Sequence, residues 1–237
     1  MRPAPLPPQL RGRAIRSADY RDFGLTPGRL RRNDITHPFH GVSAKDLDIS
    51  DVMGRCRAFE PLLLPGQFFS HVTAAMLYEA PLPYALDDRR LDVAVLDPRT
   101  PPRGRGVHGH RVTGVGVQFL DGLPIASPAD VWRQLGPLLR ADDLVAVGDH
   151  LVTGRRIRGV RAPARASLDQ LRDAAGRHSG KRGAATIASA IGRVRSGVDS
   201  RRETQLRLLL VAGGLPEPDL DVEVNVGGGV VLHPDLS

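Results

Sequence analysis

The chain has 237 residues, 41% of them hydrophobic, and a net charge of +7, enough apolar material for one large or several small globular domains, which excludes a disordered polymer. A single cysteine, Cys56, excludes an intramolecular disulfide framework, and no apolar run approaches the roughly 18 residues that a membrane-spanning helix needs. The positive excess puts nucleic acid first among partner classes and acidic protein surfaces second, and the expected setting is a reducing cytoplasm with no membrane partner.

Residues 1–14 are Pro-rich and basic and read as a flexible lead. Ser17 is a candidate N-cap for a helix through Tyr20 to Phe23, Gly24 a stop, and Thr26 with Pro27 a cap-and-first-residue pair for a second helix bearing Arg29, Leu30, Arg31 and Arg32. Helix, tight Gly turn and basic helix make a helix-turn-helix outline. The run Pro38-Phe39-His40-Gly41-Val42 reads as a short strand where a wing would stand. This portion resembles the winged-helix N-terminal domain of AbiEi-type antitoxins. The resemblance implies that the basic second helix meets DNA, with Arg29, Arg31 and Arg32 on phosphates, a contact that supplies salt-dependent affinity rather than sequence choice.

From Ile49 to Leu64 the apolar positions suit a helix ending at Pro65, and Ser70 opens another through Leu77. Cys56 reads as a core residue and His71 as structural, since no acidic orienter is in view. Leu91–Leu96 reads as an alternating strand, and residues 98–106 as an exposed loop whose Arg99, Arg103 and Arg105 either reach phosphate or only solvate it. Strands follow over Val107–Val112, Val115–Leu120 and Leu123–Ala126, with Asp121-Gly122 as a hairpin turn. His108 and His110 share one strand face, but two ligands without a third do not make a metal site. Ser127-Pro128 starts a helix through Leu135, and the acids of Ala141-Asp142-Asp143 suit the N-terminus of a helix through Leu151. This central stretch is similar to the middle of the same antitoxin-like proteins, which are actinobacterial, and implies a sheet-and-helix scaffold.

Residues 154–163 read as a basic linker and boundary. Ser167 caps a helix to about Gly176, and a further helix runs from Ala184 to Arg195. Residues 151–213 hold 14 Arg or Lys against 4 Asp or Glu, so the basic surface centres here, with Arg193, Arg195, Arg201 and Arg202 as candidate phosphate contacts. Lys occurs only at 45 and 181; codon bias accounts for the Arg preference, so the clustering carries the information.

Leu206, Leu209 and Leu210 recur at helical spacing after a Ser200 N-cap, with Glu203 in the first turn and Gly213 or Gly214 at the end. The turn Leu215-Pro216-Glu217-Pro218 leads to a strand over Leu220–Val226, and Gly227–Gly229 joins it to Val230–Leu232, which delivers Asp235. A helix-borne Glu, GLPEP, a Gly-rich hairpin and then PDL are similar to the very-short-patch-repair-like endonuclease domain of the PD-(D/E)XK superfamily. That resemblance implies a Mg²⁺-binding carboxylate cluster containing Glu203 and Asp235. The family's next strand carries more acids in an E-x-D-G pattern that this sequence does not reach. Two carboxylates are too few to hold Mg²⁺ and activate water, so a nuclease-like core with little cutting activity is expected.

The expectation is thus an α+β protein in three segments: a Pro-rich lead and winged-helix-like unit over 1–47, a mixed sheet-and-helix scaffold over 48–153, and basic helices with an incomplete nuclease-like core over 154–237. DNA binding in a regulatory or antitoxin role comes first. A Mg²⁺-dependent endonuclease and a module that masks a cognate toxin without DNA are the alternatives.

Overall fold

The computed structural model describes residues 7, 10–86, 89–157, 160–220, 224–225 and 231–232. The chain is mixed α+β and divides into two compact units, Met1–Leu77 with Asp87–Ala126, and Tyr78–Leu86 with Ser127–Ser237.

The first unit opens with an antiparallel ribbon of β1 (Arg13–Arg16) and β2 (Val42–Lys45), with Ala14 opposite Ala44. Between them lie a 3-10 turn, Ser17–Phe23, and the short helix α1 (Pro27–Leu30). Thr26 Oγ1 accepts from the Arg29 amide at 3.2 Å with Pro27 at the first helical position, as the Thr-Pro pair leads one to expect. Gly24 closes the 3-10 turn at a left-handed φ of 63°.

Three local readings change. Within the stretch read as a flexible lead, Leu10 is buried with Ile15 and Ile35 against Phe23 and Leu25. Ser17 caps no helix; its hydroxyl meets the Ser43 hydroxyl across the ribbon at 2.8 Å. The strand expected over 38–42 begins only at Val42, where pairing with β1 starts.

The helix α2 (Val52–Phe59) is capped by Asp51, whose Oδ1 accepts from the Gly54 amide at 2.7 Å, and it runs into a 3-10 turn at Glu60–Leu62. Next come β3 (Gln67–Phe69), α3 (His71–Leu77), β4 (Leu91–Leu96), β5 (Val107–Val112), β6 (Val117–Leu120) and β7 (Leu123–Ala126). Their five strands form a mixed sheet in the order β5-β4-β3-β7-β6, parallel at β4/β5 and β3/β7 and antiparallel elsewhere. β4 does not alternate. Leu91 to Val95 are all buried, the pattern of a strand covered on both faces of its sheet. Asp121 and Gly122 take left-handed φ values of 48° and 82° between β6 and β7, the geometry that an Asp-Gly hairpin turn requires.

The longer part of the second unit starts at Ser127, whose hydroxyl accepts from the Asp130 amide at 3.3 Å and opens α4 (Pro128–Leu135). α5 (Ala141–Thr153) is central to this unit: Trp132 on α4 is fully buried and donates from Nε1 to the Leu144 carbonyl at 2.9 Å. Gly148 lets Val194 approach α5, since a Cβ there would stand 2.6 Å from Val194 Cγ2.

Within residues 154–163, read as a linker, β8 (Arg156–Ile157) pairs antiparallel with β9 (Val160–Arg161). Arg156 and Arg161 fasten this pair to Asp199 at 2.9 and 2.5 Å. α6 (Leu168–Gly176) carries the full capping box of Ser167 and Gln170. α7 (Ala184–Ile191) and α8 (Arg201–Ala212) follow, then β10 (Val224–Asn225) paired antiparallel with β11 (Val231–Leu232). Among the described residues no helix is long and apolar enough to cross a membrane.

α8 has the expected length but the opposite orientation to the one its leucines suggest. It buries Glu203, Thr204 and Arg207, while Leu206 and Leu209 are 47% and 69% exposed. The cause lies on α5, where Asp149 is 1% exposed. Its Oδ2 accepts from Thr204 Oγ1 at 2.8 Å and from Arg207 Nη2 at 2.9 Å, and its Oδ1 from the Arg195 amide at 2.7 Å. A buried carboxylate must be compensated, and that requirement outweighs the apolar stripe.

Candidate nucleic-acid interface

The predicted carboxylate pair comes first. Glu203 is 8% exposed. Its amide donates to Ser200 Oγ at 3.2 Å, and its Oε2 accepts from the Asp199 amide at 2.9 Å. This reciprocal arrangement satisfies two amides at the start of α8, so one carboxylate oxygen is already engaged in helix capping. Asp235 lies outside the described residues. Among the described residues no group of three or more His, Cys, Asp or Glu side chains is placed to hold a metal ion, so they do not by themselves form a Mg²⁺ site.

The predicted arginines separate into two sets. Arg29 is 8% exposed and gives both terminal nitrogens to Asp34, at 2.9 and 2.8 Å. Lys45 reaches the same carboxylate at 3.3 Å. Arg29 is therefore a structural ion-pair residue that links α1 to β2 through Asp34 rather than an open phosphate contact. Arg31 and Arg32, two and three positions on, are exposed and have no carboxylate partner among the described residues.

In the second unit Arg193 reaches Asp142 at 2.7 Å, Arg201 reaches Asp143 at 2.6 Å, and Arg195 reaches Glu217 at 3.1 Å. The acids at 142 and 143 do suit the N-terminus of α5, and they also neutralise two of the four predicted contacts. Arg202 is exposed. Glu217, from the GLPEP turn, is gripped twice, by Arg195 and by Arg207 Nη1 at 2.6 Å.

The Asp34 pair has a testable pH signature. Hydrogen bonding from Arg29, supported by Lys45 and opposed by desolvation, holds the Asp34 carboxyl below its ordinary 3.8, down to about 2. A lowered acid stabilises the fold above the unfolded-state value, and its contribution is lost as pH falls through the folded one. Thermal unfolding of Asp34→Asn is therefore expected to respond less to pH between about 4 and about 2 than the parent chain does. Identical pH slopes for the two proteins would refute the assignment.

On the loop before β5, Arg99 donates to the Pro65 carbonyl at 2.7 Å. Arg103 and Arg105 are exposed and, among the described residues, have no carboxylate partner. The two readings open for this loop thus divide: Arg99 is structural, and the other two charges are available.

The histidines form a cluster that sequence spacing only half shows. His110 Nε2 lies 2.7 Å from Asp92 Oδ1, and the His110 ring stacks on His71 with centroids 3.8 Å apart. The His71 ring nitrogen lies 2.9 Å from Ser70 Oγ, and His71 takes a left-handed φ of 47° at the start of α3. Asp92 is itself held by Thr73, whose Oγ1 accepts from the Asp92 amide at 2.7 Å and whose amide donates to Asp92 Oδ2 at 3.2 Å. The missed residue is Asp92. Its signal was a lone acid inside the apolar run Leu91–Leu96, which a strand buried on both faces tolerates only with partners. Ser70 is fully buried, so it is not placed to act as a nucleophile.

Cys56 is fully buried, and desolvation pushes its thiol up despite Arg55 and Arg57, which marks it as an inert core group.

No protein-family model matches the chain, and no curated protein matches it.

Proposed function

We propose that this chain binds DNA through phosphate contacts from the exposed arginines of its first unit, Arg31, Arg32, Arg103 and Arg105. The observation that supports this reading is the division of the arginines. Arg29, Arg193, Arg195 and Arg201 meet carboxylates, whereas these four stand exposed without one among the described residues. An ion-paired guanidinium must give up its acid before it meets a phosphate; an exposed one exchanges only water and counterions. The likeness of the N-terminal portion to antitoxin winged-helix domains points the same way and suggests a regulatory or antitoxin role, with a cognate toxin as a second partner. Arg29 serves that role indirectly, by tying α1 through Asp34 to Lys45 of β2 and so fixing the segment that carries Arg31 and Arg32.

The test is fluorescence anisotropy of a labelled duplex over a salt series. Affinity is expected to fall linearly with salt on logarithmic axes, with a slope of about 0.9 per phosphate contact. Absence of binding at low salt would refute the proposal. The same mixture with Mg²⁺ examines the endonuclease reading that rests on Glu203 and Asp235. Little nicking is expected, because Glu203 caps α8 and has no acids grouped with it for a metal among the described residues. Strong nicking abolished by Glu203→Gln would establish the enzyme instead.

A further inference from the structure

A cleft of about 290 Å³ lies wholly in the first unit, between the 98–106 loop and the segments around Phe39 and Phe59. From the chemistry of its lining we infer that it takes a nucleobase together with its phosphate, a flat heteroaromatic ring carrying an anion. This rests on the DNA-binding reading and gives the Arg103 and Arg105 loop a specific ligand.

Its volume falls just short of the roughly 300–1,000 Å³ usual for small-ligand sites, which suits one nucleotide unit and not a larger cofactor. The floor is aromatic. Phe39 and Phe59 meet edge to face with centroids 5.1 Å apart, and Phe39 is only partly buried, so it still offers ring surface to a ligand. Base stacking on such a ring is tolerant of base identity.

A polar group stands at the inner wall. Gln67 on β3 is 9% exposed, and its Oε1 accepts from the Leu64 amide at 3.1 Å. Its amide NH₂ has no acceptor among the described residues and is therefore a donor for a base carbonyl or ring nitrogen. The rim carries Arg103 and Arg105, two exposed guanidinium groups suited to phosphate oxygens.

Gly106 holds this rim against the floor. It sits at φ +84°, and a Cβ there would come within 3.1 Å of the Phe39 ring, so the loop approaches the ring closely only with glycine at this position. A cleft of equal volume in the second unit lacks such open charges. There Arg155 is paired with Glu79 at 2.6 Å, and the Arg165 guanidinium lies 5.8 Å from the Tyr78 ring centroid.

The shared chemistry has two sources, a free nucleotide and an unpaired nucleotide within a strand, and competition separates them. The full chain is titrated with a labelled short oligothymidine strand, then challenged with dTMP, thymidine or inorganic phosphate. dTMP is expected to compete better than thymidine or phosphate. Tighter binding of the strand than of dTMP assigns the site to nucleic acid, and the reverse assigns it to a free nucleotide.

Phe39→Leu, which keeps an apolar contact with Phe59, is expected to weaken strand and dTMP by about tenfold while duplex affinity changes far less. Arg103→Ala with Arg105→Ala weakens strand, dTMP and duplex together. If dTMP competes no better than phosphate, or if Phe39→Leu leaves strand and dTMP unchanged while the double variant weakens everything, the cleft is an anion patch and the inference fails with duplex binding intact. dTMP binding without duplex binding would overturn the DNA reading and keep the cleft. The wild-type competition needs no variant, so loss of fold in Phe39→Leu does not remove the test.

Discussion

Arg207→Ala is expected to lower the stability of the second unit by about 3–5 kcal/mol, the cost of removing one partner from a buried ion pair, and to lower its melting temperature by on the order of 10 °C. Arg207 is 1% exposed, and its two terminal nitrogens reach Asp149, Glu217 and the Arg193 carbonyl at 2.9, 2.6 and 2.9 Å. One side chain thus ties α8 to α5, to the end of α7 and to the GLPEP turn. Its Nε is buried with no hydrogen-bond partner among the described residues, so the site already carries some polar cost.

Replacing both charges by apolar groups of similar size, Asp149→Leu with Arg207→Met, is expected to recover much of the loss. Apolar replacement of a buried pair is often close to neutral. The exposed leucines then make a second observable, because α8 is left without the polar anchor that now orients it.

The sign with pH follows from Asp149. Desolvation pushes its carboxyl above the ordinary 3.8, while the Arg195 amide, Arg207 and Thr204 pull it back. With a raised folded value, the folded state holds this proton to higher pH than the unfolded chain does, so the stability linked to the group falls as pH rises from 3.8 through the folded value. Removing Arg207 raises the carboxyl further and widens that window. The penalty of Arg207→Ala should therefore be larger at neutral pH than near pH 4. A penalty below about 1 kcal/mol, or one independent of pH, would show that the pair does not anchor α8.

What could be read from the sequence is what adjacent residues decide. The Ser127-Pro128 start of α4, the Ser167 and Gln170 box of α6, the Thr26-Pro27 start of α1 and the Asp121-Gly122 hairpin each depend on contacts within four residues, and each appears where expected. The orientation of α8 depends on Asp149, which lies 58 residues before Arg207. Leucine spacing predicts a helix there but does not show which face a distant buried acid will attract. The histidine cluster depends on Asp92, which lies 18 residues from His110 in the chain and opposite His108 in the parallel register of β4 and β5. The 154–163 ribbon depends on Asp199, which lies 43 residues after Arg156. The basic cluster of residues 151–213 was visible as composition, but its availability was not. Ion pairing is set by the fold, and a count of charges does not show which of them are already paired.

That distinction predicts how two sets of arginine variants should behave. Changing Arg31, Arg32, Arg103 and Arg105 together to Ala removes four exposed cations with no carboxylate partner among the described residues. The salt slope of duplex binding should then fall by about three to four, and affinity near physiological salt should drop on the order of a hundredfold, with little change in melting temperature. Changing Arg193, Arg195 and Arg201 instead breaks pairs to Asp142, Glu217 and Asp143. Partly exposed pairs of this kind contribute about 0.2–1 kcal/mol each, so that triple variant should melt several degrees lower while its salt slope changes by about one or less. Each released acid adds a negative charge near any DNA held on the same surface, so part of any affinity loss there would be repulsion, and it too would weaken with salt. The two sets differ in the ratio of affinity loss to stability loss, which neither effect alone reverses. If the triple variant loses the affinity and the quadruple variant keeps it, the DNA surface lies on the second unit, within the 151–213 stretch where 14 Arg or Lys stand against 4 Asp or Glu.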